Sequence, residues 1–280
     1  MMSQITHKKI SLSGSTIKII AAAAMFIDHF AAVFLSRLIL SGRIEVLNPV
    51  LERAYVYMRA TGRLAFPLFV FLLIEGVLHT RSKKKYLGRM ILFAVISEIP
   101  FDLAFNINRY NVQKGRILEF SYQNVFFTLS IGLLTVIIIE FLWKKRIFLF
   151  ADVERDGKTA AGKEAFAAVA ENAVKFCLSV VAAAAGIVLS MFMRTDYSGI
   201  GVLAVVVMYA VRKRRCVGLA AVSLVLSVYT LSELPAFLSV IPVYFYDGSR
   251  GAGAKWLFYI FYPAHLLALW GICMMLGLVS

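Results

Sequence analysis

Asp28 and His29 stand side by side in IKIIAAAAMFIDHFAAVFL, residues 17–35, where every other residue from Ile19 onward is apolar. A charge at the centre of a bilayer costs at least ~2.5–3.5 kcal/mol, so such a pair needs a partner, a cavity or a function. Imidazole takes and returns a proton near neutral pH, which makes His29 a candidate general base. Neighbours on a helix point about 100° apart, so Asp28 cannot hold the imidazole from the next position. One of the two is expected to look into a cavity while the other braces an adjacent helix.

Other ionisable groups fall at the same depth. At ~1.5 Å per residue, His29 lies roughly 18–20 Å from the start of its helix, near the middle of a ~30 Å hydrocarbon core. By the same count Glu98 in SEIPFDLAF (97–105) and His265 in FYPAHLL (261–267) reach that level from two further helices. Glu98 and Asp102 are four apart on one face, with Pro100 between them freeing backbone carbonyls, a pattern that reads first as kink architecture. Arg63 in GRLAFPLF (62–69) lies about a turn inside the far end of its span. It is expected to pair Glu98, Asp102 or Asp28, as a structural ion pair or as a stabiliser of an oxyanion.

The elements that position these residues are apolar helices. The 280-residue chain is 60% hydrophobic with a mean hydropathy of +0.79, above the roughly 45–50% apolar share of soluble domains. Its long runs of Leu, Ile, Ala and Phe do not alternate as barrel strands do. The expected fold is all-α, a single polytopic membrane domain over 1–280, with helices at about 16–40, 60–79, 87–106, 123–143, 167–192, 198–211, 215–231, 234–246 and 256–278. That makes about nine spans. Those between 198 and 246 are short, and Pro235 and Pro242 interrupt the last of them, leaving full, broken and re-entrant segments open.

The net charge of +14 is confined to the gaps between apolar runs, so it reports topology rather than nucleic-acid binding. RSKKK (81–85), WKKR (143–146) and RKRR (212–215) fall at one end by alternation, which puts the amino terminus in the cytoplasm and the carboxyl terminus outside. The polar stretch 151–165, within a loop at about 144–166, reads as a mobile cytoplasmic linker between two halves. His79, Arg81, Lys83 and Lys84 gather where the second span leaves the membrane, with Lys255 on the same face. Such clusters commonly mark topology and contact lipid headgroups, yet with RKRR they also suit a polyanionic cofactor.

Several chemistries find no support. DGSRGAGAK (247–255) lacks the GK[ST] step of a phosphate loop, and neither HExxH nor GxSxG occurs. Cys177, Cys216 and Cys273 are scattered without a CxxC pair, so neither a disulfide framework nor a metal site is expected.

Taken in order, KIIAAAAMFIDHF (18–30), GRLAFPLFVFLLIEGVLHTRSKKKYLGRM (62–90), SEIPFDLAF (97–105), QNVFFTLSIGLL (123–134), DYSGIGVL (196–203) and YDGSRGAGAKWLFYIFYPAHLLAL (246–269) resemble the TraX family, membrane proteins named after the F-pilin acetylation protein. The resemblance implies an acyltransferase of the bacterial inner membrane, transferring acetyl from acetyl-CoA to an amine or hydroxyl of a protein or glycan acceptor. By similarity to multi-span acyltransferases with a first-helix histidine, it implies His29 as the catalytic residue and His265 as the second candidate, with Asp28, Arg63 or Glu98 assisting. A proton-coupled transporter would use the same buried groups as a relay. A non-catalytic assembly factor would use them only to fix helix packing.

Overall fold

The computed structural model describes residues 11–41, 49–106, 118–119, 121–145, 160–253 and 255–279, the backbone alone for 160–165 and 255. Within them the regular structure is helical, with isolated bridges Leu12–Tyr246 and Gln123–Thr195 as the extended pairings. In chain order the helices are α1 Gly14–Leu40, α2 Pro49–Gly62, α3 Ala65–His79, α4 Lys83–Phe101, α5 Val125–Lys144, α6 Ala160–Phe192, α7 Ser198–Ala210, α8 Arg215–Tyr229, α9 Leu231–Tyr244 and α10 Lys255–Met275. Five segments are long and apolar enough to cross a membrane: α1, α2 with α3, α5, Phe166–Phe192 of α6 and Trp256–Met275 of α10.

Local chemistry starts several of these helices. Ser13 and Ser82 accept from the Thr16 and Lys85 amides, and Asn124 accepts from the Phe126 amide, each satisfying a donor the first turn leaves open. Two helices change winding. α1 passes into a π turn at Phe30–Leu35, immediately after His29. α4 does the same at Asp102–Asn106, just after Pro100 has removed an amide donor from the ladder. Such π turns gather at functional sites because they re-aim side chains.

The second helical region begins at Pro49, well before the expected residue 60, because PVLERAYVYMRATG is helical without being apolar enough to span. It carries charges at Glu52, Arg53 and Arg59 and leaves Val50, Val56 and Tyr57 exposed. α6 also starts early, at Ala160 rather than 167, in an alanine-rich stretch of high helix propensity. The rest of the expected linker, 146–159, lies outside the described residues. The segment at 234–246 is neither a plain α-helix nor a loop: Leu231–Ser239 winds as a 3₁₀ helix around Pro235, and an α turn follows at Val240–Tyr244.

α3 forms the centre, with Leu68, Val70, Phe71 and Ile74 fully enclosed. One core cluster joins it to α1, α5, α7 and α8 through Ile17, Leu133, Met208, Leu219 and Leu226. A second joins α1, α4 and α10 through Met25, Val33, Phe101, Leu266 and Cys273. α6 lies at the rim and exposes Phe166, Phe176, Val181 and Phe192, as a lipid-facing helix does. The bundle has two chemically distinct ends. The basic end collects the ends of α3, α5 and α9 and the starts of α1, α4 and α8, tied by Glu75–Arg215 and Lys83–Glu140. The opposite end collects the far ends of α1 and α4 with the α6–α7 turn.

Candidate active site

Between the two core clusters, toward the end opposite the basic residues, a cavity of about 480 Å³ opens. His29 lines it from α1, beside Asp28, Arg59, Arg63, Asp196 and Glu233, with aromatic walls that include Phe66, Phe105 and Tyr262.

His29 Nδ1 lies 2.7 Å from His265 Nε2 on α10. The ring planes differ by only 6° and the centroids are 5.0 Å apart. Facing nitrogens that are far closer than the centroids mean that the rings meet edge to edge, not face to face. His265 Nδ1 lies 2.6 Å from the Phe261 carbonyl oxygen. A carbonyl only accepts, so in the neutral pair His265 carries its hydrogen on Nδ1 and presents a bare Nε2. His29 must then donate from Nδ1, which leaves its Nε2 as the free basic nitrogen. The chain carbonyl–His265–His29 thus fixes a tautomer. Phe105 and Tyr262 meet the His29 ring edge-on at 5.4 and 5.9 Å and hold its plane.

Asp28 looks elsewhere. Its Oδ2 accepts from Arg59 Nη1 at 2.6 Å, bracing α2 against α1. Its Oδ1 rests on Gly62, where a Cβ would collide with the carboxylate, so the α1–α2 approach requires glycine. Arg63 does not pair Glu98, Asp102 or Asp28: its Nη1 lies 2.8 Å from Glu233 Oε1. The 3₁₀ winding of α9 turns Glu233 inward, 4% exposed.

Glu98 takes a structural place, in keeping with the architectural reading of SEIPFDLAF. It shares the helix depth of the histidines but does not line the cavity; its Oε2 accepts from the backbone and side-chain amides of Asn124. Asn124 caps α5, so Glu98 ties α4 to the start of α5. Asp102 accepts from the Glu119 amide and from Asn106 Nδ2, which pins the π turn.

The residues that sequence reasoning missed come from a helix of mixed polarity and a tight turn. Arg59 lies on the amphipathic α2, and Asp196 and Tyr197 lie in the turn before α7. There Arg194, Tyr197 and Ser198 adopt φ of 51°, 59° and 46°, a left-handed backbone that non-glycine residues avoid. Thr128 bonds the Asp196 carbonyl, Tyr122 OH donates to Asp196 Oδ1 at 3.0 Å, and Tyr197 stacks on Phe66 at 3.8 Å. Strain held this firmly is common where a site must be preorganised. The available signal was DYSG, a polar turn between two apolar runs.

The expected cofactor cluster divides at the basic end. Lys83 pairs with Glu140, Arg81 and Lys84 are exposed, and the Lys255 side chain lies outside the described residues. His79 instead joins Arg212–Arg215 around a second pocket.

The family model described as TraX protein matches residues 13–273. The chain belongs to the TraX family. The TraX match covers both histidines, every charged residue of the cavity and the whole basic pocket. A relative named as a probable fimbrial assembly protein, FimC of serogroup H1 from Dichelobacter nodosus, is 29% identical over 285 aligned positions covering 94% of this chain and 96% of its own. No solved structure matches.

Proposed function

We propose that this TraX protein is a membrane acyltransferase in which His29 Nε2 is the general base, transferring an acyl group, acetyl in the first instance, from acyl-CoA to an amine or hydroxyl of a protein or glycan. The observation that carries this reading is the hydrogen-bonded chain from the Phe261 carbonyl through His265 to His29, which leaves one basic nitrogen free on a cavity wall.

The acceptor enters the cavity from the end opposite the basic residues. Three carboxylates, Asp28, Asp196 and Glu233, line it with two guanidiniums, a balance that suits a donor-rich amine or polyol rather than an anion. His29 Nε2 takes the proton as the acceptor nitrogen or oxygen bonds to the thioester carbon. The negative charge that forms on the carbonyl oxygen is met by the N–H groups of Arg63 that Glu233 and Tyr197 leave over. When the tetrahedral carbon collapses, the C–S bond breaks and the sulfur leaves with the proton returned by His29. His265 Nε2 accepts the His29 Nδ1 hydrogen throughout, so it positions the base. The donor phosphates belong at the basic end, where His79, Arg81 and Lys84 are exposed.

The same reading places the chain in the bacterial inner membrane with about nine spans, the amino terminus cytoplasmic, and membrane lipids around α6. A relative named for fimbrial assembly favours a second reading, a non-catalytic assembly factor whose buried groups only fix packing. The two separate in one experiment: release of free CoA from acetyl-CoA by the protein in nanodiscs, with membrane extract as acceptor source. Catalysis requires turnover that a folded His29→Ala protein loses. Absence of turnover with any extract leaves the assembly reading.

A further inference from the structure

We propose that the pocket at the basic end is a binding site for a multiply charged phosphate group. The turn from α7 into α8 sets Arg212, Lys213, Arg214 and Arg215 in succession, and with His79 they line a cavity of about 590 Å³. Four cations face a single carboxylate, Glu75. Like charges this close repel, so the cluster is strained unless water or an anion offsets it.

The cations are also held in place. Arg212 donates to the Tyr209 carbonyl at 2.7 Å with its guanidinium carbon 4.1 Å from that ring's centroid. Arg215 lies 4.7 Å from the Tyr246 ring and donates from Nε to Glu75 Oε1 at 3.2 Å, while Tyr246 OH donates to Oε2 at 3.2 Å. Lys213 and Arg214 are exposed, with no carboxylate at ion-pair distance among the described residues. His79 is anchored through Nδ1 to the Glu75 carbonyl, which leaves Nε2 of an exposed ring for a ligand. Lys83, at the same end, shows the alternative: it pairs with Glu140, which also pairs with Lys144. A concave wall with fixed guanidiniums and two unspent cations matches a phosphomonoester or pyrophosphate, whose oxygens accept from several donors at once. The phosphate can be carried by a soluble nucleotide-like molecule or by a lipid headgroup. The site rests on this charge balance and stands whether or not the acyl-transfer reading does.

The test uses the full chain in phosphatidylcholine nanodiscs. Inorganic pyrophosphate and coenzyme A are titrated as soluble probes, and retention of phosphatidic acid doped into the discs is measured in parallel. The variant Lys213→Gln with Arg214→Gln is compared with Lys85→Gln with Lys145→Gln, which removes equal charge from exposed positions at the same end. The pocket variant is expected to weaken binding at least tenfold and the second variant less than twofold. A loss confined to the soluble probes identifies a soluble phosphate, and a loss confined to phosphatidic acid identifies a lipid. Failure of every probe to bind the unaltered protein, or equal weakening by both variants, overturns the proposal.

Discussion

Two pockets of this bundle hold charge in opposite ways. In the cavity beside His29 each guanidinium has its own carboxylate, Arg59 with Asp28 and Arg63 with Glu233, and the histidine that faces it is fixed by a second histidine. In the basic pocket four cations stand with one carboxylate, Glu75, which pairs with Arg215. Buried charge is tolerated inside a membrane only when paired, so the first arrangement is what chemistry at depth requires. Surplus charge is tolerated only where water or a ligand reaches it, so the second is suited to recognition. On the proposed reading, the first region moves a proton and the second attracts an anion.

The comparison breaks most visibly at His29. His29→Ala is expected to lower CoA release by roughly 10²–10⁴-fold, the usual contribution of a positioned base, with the melting temperature little changed. His265→Phe keeps an aromatic ring but removes the acceptor for His29 Nδ1, and is expected to lower kcat while leaving KM for acyl-CoA unaltered. A drop in KM-dependent binding alone would reassign His265 from positioning the base to holding substrate. Lys213→Gln with Arg214→Gln, which lies outside the His29 cavity, is expected to spare kcat at saturating donor.

Stability offers the next contrast. Arg63→Leu strands Glu233 in a nearly closed position and is expected to cost about 2–4 kcal/mol, between the values for exposed and fully buried pairs. The double replacement with Glu233→Leu should recover most of that in thermal melts. Arg214→Gln at the basic end relieves repulsion and should shift stability by no more than about 0.5 kcal/mol, in either direction. Equal losses at the two sites would erase the distinction drawn between them.

Much of the bundle was legible because hydropathy reports helices directly: each expected run is occupied by helix, with early starts at Pro49 and Ala160. The meeting of His29 with His265 was legible from depth, since two helices that carry a polar group at one level share a reason to bring them together. Partner identity was not. Arg63 was assigned to nearby carboxylates, whereas its partner Glu233 arrives from a segment that 3₁₀ winding rotates inward, and winding leaves no mark on hydropathy. The π turns after His29 and Pro100 are hidden for the same reason, and depth put Glu98 level with the histidines without telling that its side chain turns to Asn124.

A finer test concerns the close approach of α1 and α2. Gly62→Ala would drive a methyl into the Asp28 carboxylate, so α2 must shift or the Arg59–Asp28 pair must open. Overpacking of this kind costs about 1–3 kcal/mol. CoA release is expected to fall further than stability, because Asp28 and the base share one helix turn. Gly62→Ala with full activity would show that the brace is independent of the chemistry.

The smallest expected effect lies at the basic end, where Ser11–Ser15 pack on the segment after α9. Ser11 Oγ donates to Asp247 Oδ2 at 2.5 Å and the Ser249 amide donates to Oδ1 at 2.7 Å, and these bonds hold the Asp247 carboxyl down at about 2, from an ordinary 3.8. A depressed carboxyl stabilises the folded state fully above its unfolded value, and that contribution is lost as pH falls from about 4 through 2. Above that window the tether is intact. The Gly14 and Ser15 amides, bonded to the Ser249 and Arg250 carbonyls, are expected to exchange hydrogen a few-fold faster in Asp247→Ala at neutral pH, with the His29 helix beyond them unaffected. Acceleration that spreads along α1 to His29 would instead couple the basic end to the base, and the two pockets would then act as one device.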